Sequence, residues 1–160
     1  MIKIKRLIQA NQQLFHLTND EDFSYNPYYQ NNQQEMGIGL YVTNKDSIRI
    51  WDNLLGGRKY VVPVNVSQLN VIKEENFPSS LNIQKDLIAN GYTREDVLKN
   101  LPTGDTFGVD PMQIALKITW AKLNGFNAIE PYLDSSEGYQ LVILDNANIT
   151  FGNQIDISKF

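Results

Sequence analysis

A single histidine, His16, is the first residue whose chemistry could serve a binding or catalytic site. It lies in the short apolar segment Phe15–Thr18, and its imidazole can exchange a hydrogen bond with a ligand hydroxyl. The ring of Tyr41 can stack on a planar cation, and the amide of Gln140 can bond a sugar hydroxyl. Taken one at a time, each residue also has an ordinary structural interpretation: a satisfied strand histidine, a packed aromatic ring and a polar group at a strand start.

Several familiar kinds of site are excluded by residue type. The chain has no cysteine, which excludes disulfides and thiolate metal sites, and its one histidine excludes zinc clusters built on histidine. The phosphate-binding and nucleophile motifs GxxxxGK[ST], GxGxxG and GxSxG are missing from the sequence. The segment Gly37–Gly39 alone is typical of a turn that enters a strand. We therefore expect a site without a metal.

Composition and charge bound the class of protein. A chain of 160 residues with 42% hydrophobic and 20% charged residues is typical of one globular domain, here residues 1–160. No apolar run is long enough to cross a bilayer, and the N-terminal segment lacks the apolar stretch and cleavage site of a signal peptide. With no cysteine present, this predicts a cytoplasmic protein. The net charge of −4 and the short basic cluster at Lys3, Lys5 and Arg6 disfavour nucleic acid as a tightly bound partner.

Short β-branched and apolar runs predict strands. Pro63 lies inside one of them, which favours an edge position or a bulge there. The polar segment Asn19–Glu35 shows neither the helical nor the strand periodicity of apolar residues, and it predicts a long loop. Its tyrosines Tyr25, Tyr28 and Tyr29 can either close over a ligand or pack on the surface. The predicted strands are Leu14–Thr18, Gly37–Thr43, Lys59–Val66, Ala128–Tyr132, Gln140–Asp145 and Ile149–Phe151.

Capping residues predict the helices. A helix capped by Asn44 presents Ile48, Trp51 and Leu55 on one face, and further helices are predicted from Ser80 to Gly91, from Thr93 with Asp96 as its capping-box acid, and from Asp110 to Asn124. The order of elements is strand, loop, strand, helix, strand, helices, strand, strand. This order predicts an α+β domain with a mostly antiparallel, split sheet.

Five segments, taken in order, resemble the H-Y-E branch of the ADP-ribosyltransferase superfamily, which includes diphtheria toxin and the poly(ADP-ribose) polymerases. The resemblance runs from about Leu14 to Ile149 and rests on the joint order of the motifs. The matching segments are Phe15–Thr18 (the family's H-G-T strand), Gly37–Thr43 (GxGIYF), Tyr60–Val66 (the next strand), Asn124–Ile129 (GYDGI) and Gln140–Ile149 (EYVVFDPSQI).

The resemblance implies an NAD site in a split, mostly antiparallel sheet with flanking helices. His16 would bond the adenosine ribose, the backbone of Leu17 would hold the nicotinamide amide, and Thr18 would complete this cofactor-binding segment. Tyr41 would stack on the nicotinamide ring. Trp51 would form the other face of that stack, and Ser47 is a looser candidate for a carboxamide contact. A positively charged nicotinamide is well held between aromatic faces.

The implied activity is transfer of a single ADP-ribose from NAD to a protein target, as in a bacterial or phage effector. The bond-breaking transition state is oxocarbenium-like, and a carboxylate beside the ribose stabilises it. Gln140 takes the position of the family's catalytic glutamate and brings no charge. Three outcomes stay open: slow or substrate-assisted transfer, a carboxylate supplied by Glu137, or a site that binds NAD, ADP-ribose or a protein without chemistry.

A third class of function is an interaction domain unrelated to NAD. The position of two side chains distinguishes it from the others. If the rings of His16 and Tyr41 face one cleft, the NAD site is favoured; if they face different compartments, the unrelated domain is favoured.

Overall fold

The computed structural model describes residues 7–24, 39–133, 138–145 and 148–160. Glu137, the basic cluster, the three loop tyrosines, Gly37 and Ile38 lie outside these ranges. The strands are β1 (Leu7–Thr18), β2 (Leu40–Val42), β3 (Tyr60–Lys73), β4 (Ala128–Glu130), β5 (Leu141–Ile143), β6 (Ile149–Phe151) and β7 (Ile155–Asp156). The helices are α1 (Ile48–Leu54), α2 (Ser80–Ala89), α3 (Arg94–Leu98) and α4 (Pro111–Leu123), with 3₁₀ turns at Lys45–Ser47, Glu74–Asn76 and Ile157–Lys159.

The long strand β3 organises the sheet. β1 pairs with it antiparallel along its length, and β7, β6 and β4 pair in succession with its other edge. The strand order is β1-β3-β4-β5-β2, and among the described pairs β3 and β4 alone run parallel. The prediction of an α+β fold with a mostly antiparallel sheet is therefore confirmed.

One backbone bridge joins the two ends of this strand path. The N–H of Phe15 donates to the Thr43 carbonyl and the N–H of Thr43 to the Phe15 carbonyl, both at 2.8 Å. Because β1 and β2 are the terminal strands of the path, the sheet curves back on itself. Side chains from six strands fill its inner face, which we call the inner cluster: Leu14, Leu40, Val42, Val64, Val66, Leu69, Val71, Ala128, Leu141, Ile143 and Ile149.

Helices cover the outer face in two places. α2, α3 and α4 pack against Ile72, Ile129 and Val142 of the sheet, and we call this group the helix cluster. Ile48 of α1 packs instead with Phe15, Leu17 and Val61, with Trp51 and Leu55 beside them. Among the described residues, no helix is long and apolar enough to cross a membrane.

Local capping chemistry decides where the helices begin. Asn44 accepts from the Ser47 N–H at 3.0 Å, Thr93 and Asp96 form a reciprocal capping box, and Asp110 accepts from the Met112 N–H at 3.0 Å. All four predicted helices are confirmed. Pro63 does not lie at a sheet edge, because β3 has partners on both sides. It falls between the stretches that pair with β7 and with β6, where the register shifts by one residue, so the alternative prediction of a bulge fits this position.

The close approach of β2 to β5 requires a glycine at position 39. A Cβ added there would lie 2.7 Å from Val142 Cγ1 and 2.9 Å from the backbone oxygen of Ile143. We expect Gly39→Ala to lower the free energy of unfolding by about 1–3 kcal/mol, as overpacking of a rigid contact does. Urea denaturation measures this loss. Gly152→Ala, whose added Cβ meets only the Pro63 side chain at 3.1 Å, is expected to cost less, and an equal loss in the two variants would contradict the explanation.

Candidate functional site

The ends of β1, β2 and β5 meet around Thr43. This residue bridges Phe15 through its backbone, and its Oγ1 donates to the Tyr139 carbonyl at 2.7 Å. Since Val42 pairs with Leu141, Gln140 stands beside Thr43 at the start of β5. The junction therefore brings His16, one residue after the bridge, and Gln140 to the same end of the sheet. Their side chains lie on opposite faces, because His16 follows the inward-facing Leu14 by two residues whereas Gln140 stands between Tyr139 and Leu141, which both pack on the inner cluster. Thr43 was not among the predicted site residues, although a polar residue at the end of an apolar strand is a signal for it.

His16 lies one residue beyond the bridge that joins β1 to Thr43. Its Nδ1 lies 2.8 Å from the backbone oxygen of Tyr41. Because a carbonyl oxygen only accepts, Nδ1 must carry the proton, and Nε2 is then the acceptor of the ring. The half-buried imidazole thus satisfies a backbone carbonyl with one nitrogen and offers a lone pair with the other.

Burial lowers the pKa of His16 below its ordinary value of 6.5. The hydrogen bond to Tyr41 and the charge of Asp20 oppose that shift, and the charge of Arg58 adds to it. The imidazole is therefore neutral at pH 7 and above, as a hydrogen-bond acceptor at Nε2 requires.

This pKa shift predicts how stability depends on pH. Because the folded protein binds a proton at His16 less readily than the unfolded chain, the neutral ring stabilises the fold above pH 6.5, and this contribution is lost as the pH falls through the folded pKa. We expect urea midpoints to fall as the pH is lowered below 6.5 for the native sequence. His16→Asn, which has no titrating group there, should show a flatter profile, and identical profiles would contradict the assignment.

The side chains of His16 and Tyr41 lie on opposite faces of the sheet. The Tyr41 ring packs against the helix cluster, whereas its neighbours Leu40 and Val42 belong to the inner cluster. The His16 ring contacts Phe23, which packs on the inner cluster. The two residues meet through the Tyr41 carbonyl, and their rings face different compartments. The predicted cleft with both rings facing a nicotinamide is therefore not formed, and this arrangement favours an interaction domain unrelated to NAD.

Ser47 and Trp51 hold the backbone that leads into Gln140. The buried Ser47 Oγ accepts from the Tyr139 N–H at 2.9 Å, and Trp51 Nε1 donates to the Tyr139 carbonyl at 2.7 Å. Gly138 has φ of +73°, and a Cβ on it would lie 3.0 Å from Ser47 Cβ and Oγ, so a glycine is needed there. These polar groups, with Thr43, form a clamp on Tyr139 that fixes where β5 begins.

Trp51→Phe tests the clamp, since it keeps a ring and removes one donor. We expect a loss of about 0.5–1.5 kcal/mol in unfolding free energy, together with altered ligand binding at the junction because Gln140 is less well placed. The matched control is Trp120→Phe, which removes the Nε1–H bond to Asp86 Oδ2 (3.0 Å) within the helix cluster. That variant should lose stability with unchanged ligand binding. Equal binding effects in the two variants would count against a local clamp.

The other two predicted site residues of β1, Leu17 and Thr18, have structural roles in the sheet. Leu17 is buried beside α1 and pairs with Val61, and Thr18 is buried with its Oγ1 accepting from the Asp20 N–H at 3.1 Å. Glu137, the candidate substitute carboxylate, lies outside the described residues.

Comparison with known proteins bears on the fold. No protein-family model matches the chain, and no curated protein sequence matches it significantly. A chain of the M. tuberculosis MbcT–MbcA toxin–antitoxin complex aligns with a TM-score of 0.51 at 10% identity, over 95% of this chain and 87% of that chain. An anti-CRISPR protein aligns with a TM-score of 0.43 at 14% identity, over 89% of this chain and 96% of that one. The first alignment is a likeness of fold to a chain from a toxin–antitoxin pair.

Proposed function

We propose that the protein is an NAD-dependent mono-ADP-ribosyltransferase that modifies a protein target. The observation that carries the proposal is the end of the sheet where His16, held in its Nδ1–H tautomer by the Tyr41 carbonyl, lies on the inner face and Gln140 lies on the outer face. His16 Nε2 is an acceptor suited to a ribose hydroxyl, and the Gln140 amide can bond a second hydroxyl. These are the contacts that the ordered motifs imply for NAD.

The geometry suggests different roles for Tyr41, Ser47 and Trp51 from those implied by the resemblance. Tyr41 acts through its carbonyl, which orients His16, because its ring lies on the other face of the sheet. Ser47 and Trp51 act on Tyr139 and so position Gln140. The backbone of Leu17 and the side chain of Thr18 continue the strand that carries His16. In this proposal the ligand binds at the end of the sheet, where it can reach His16 on the inner face and Gln140 on the outer face.

Two observations support a protein target and an effector role. One structural neighbour is a chain of a toxin–antitoxin complex. The negative charge of this chain also favours a protein over a nucleic acid as the acceptor. The acceptor would attack the ribose carbon as nicotinamide leaves, which conserves the ADP-ribose unit and releases one proton.

Labelled NAD tests this function directly. The protein is incubated with NAD labelled in its adenylate phosphate and with a cell lysate, and the lysate proteins are separated. A labelled protein band that is lost with His16→Ala is the expected result. Undisturbed NAD and no labelled band over long incubation would reject the transferase.

Gln140 favours a second function, a catalytically silent module that binds ADP-ribose or a protein partner. A neutral amide at the junction can hold a ribose but cannot stabilise positive charge. In this case calorimetry with ADP-ribose shows binding that His16→Ala weakens, while NAD stays intact. The opposed faces of His16 and Tyr41 favour a third function, an interaction domain unrelated to NAD. Absence of any binding of NAD or ADP-ribose would support that function over the other two.

A further inference from the structure

A side chain from the end of the chain fastens the turn that follows β1. Gln154 Oε1 accepts from the Phe23 N–H at 3.1 Å, and Gln154 Nε2 donates to the Asp20 carbonyl at 3.1 Å. Both ends of one amide are thus bonded to a segment more than 130 residues away in sequence. An amide supplies this donor and acceptor together, which neither a carboxylate nor an apolar side chain can do.

The fastened turn places an aromatic ring against His16. The centroids of Phe23 and His16 are 4.8 Å apart with the planes tilted by 44°. Phe23 also packs edge to face with Phe151, with centroids 5.5 Å apart, and rests on the inner cluster. Phe23 therefore lies tilted against the imidazole and shields part of it from water.

Two contacts then determine the orientation of His16. The Tyr41 carbonyl fixes the Nδ1 edge of the ring, and Phe23 fixes the plane about that hydrogen bond. With these two in place, the direction of Nε2 is set before any ligand arrives. Preorganisation of this kind matters because a misplacement of about 1 Å at a reacting or binding atom can cost on the order of 100-fold.

We propose that Gln154 is a positioning residue for His16, acting through Phe23. The amide holds the turn, the turn holds the Phe23 ring, and the ring holds the imidazole in the orientation that presents Nε2. The inference rests on the proposed function only in taking His16 as the group that contacts the ligand. A merely structural Gln154 would seal the end of the inner cluster and leave the imidazole as it is.

The single histidine of the chain makes the test specific, because its imidazole signals need no assignment. The test variant is Gln154→Met, which keeps the length of the side chain and removes both hydrogen bonds. Nitrogen-15 NMR reports the tautomer, and a pH titration reports the pKa of His16. The matched control is Asn153→Leu at the exposed neighbouring position.

For folded Gln154→Met we expect the Nδ1–H tautomer to become less dominant and the pKa of His16 to rise toward 6.5, since a loosened Phe23 admits water. Neither substitution adds or removes a charge, but the loosened turn also carries Asp20, whose charge raises the pKa of His16. The tautomer is therefore read together with the titration. Asn153→Leu should leave both readouts at their native values. An unchanged tautomer and titration in folded Gln154→Met would overturn the proposal.

Two further measurements complete the test. If Gln154→Met does not fold, Phe23→Leu removes the ring but keeps apolar volume, and the same two NMR readouts decide. In the transferase assay Gln154→Met should raise the KM for NAD or lower the rate, by up to about 100-fold. The NMR result does not depend on turnover, so a protein that leaves NAD intact but shows the NMR shift rejects the transferase and supports the positioning role.

Discussion

Gln140→Glu is expected to raise the rate of NAD cleavage by about 100- to 1000-fold, the range by which removal of one preorganised electrostatic group lowers a rate. The substitution adds a carboxylate at the start of β5, where the clamp from Thr43, Ser47 and Trp51 already fixes the backbone. A negative charge there lies beside the ribose in the proposed binding mode and stabilises the oxocarbenium-like transition state. The two side chains have the same length, so the geometry of the junction is retained.

Release of nicotinamide, followed by chromatography, measures this gain. Gln84→Glu on α2 is the matched control, because it makes the same change of charge on an exposed helix surface. It should leave the rate unchanged. If Gln140→Glu binds NAD and yet cleaves it no faster than the native protein, Gln140 does not occupy the position of the family's catalytic glutamate.

His16→Asn is expected to lower ADP-ribosyl transfer by about 10- to 100-fold, with most of the stability of the fold retained. The amide nitrogen of asparagine can replace Nδ1 as donor to the Tyr41 carbonyl, but asparagine has no counterpart of Nε2. The substitution therefore separates the structural role of the histidine, its bond to the Tyr41 carbonyl, from its contact with the ligand. His16→Ala removes both and should lose stability as well as transfer.

Calorimetry with ADP-ribose and urea denaturation measure the two effects on the same samples. Weaker binding in His16→Asn at nearly native stability supports the contact through Nε2. Native binding in His16→Asn with a large loss in His16→Ala would assign His16 to the sheet alone. Taken with Gln140→Glu, these variants distinguish an enzyme from a silent binding module, since binding and cleavage are measured apart.

Elements with local signals were predicted well from the sequence. The four helices carry capping residues such as Asn44, Thr93 and Asp110, whose hydrogen bonds span two or three residues. The apolar runs predicted β2, β5 and β6 for the same reason, but only the Leu14–Thr18 part of β1 and the Tyr60–Val66 part of β3. β7 was not predicted, because two residues are too few to show an alternating pattern. The sequence left an edge and a bulge open for Pro63, because the gap between β6 and β7 arises only when both strands dock on β3.

The features of the candidate site also fall into those that the sequence shows and those that depend on the tertiary structure. The sequence by itself determined which chemical groups are present: one imidazole, a neutral amide in place of a carboxylate, no thiol, and the strands that carry them. The tertiary structure decided that the rings of His16 and Tyr41 face opposite sides, that Ser47 and Trp51 grip Tyr139, and that Gln154 fastens the turn bearing Phe23. These contacts join residues from 25 to 134 positions apart. They depend on the register and curvature of the sheet, which set the face of every side chain and are fixed only when the whole core packs.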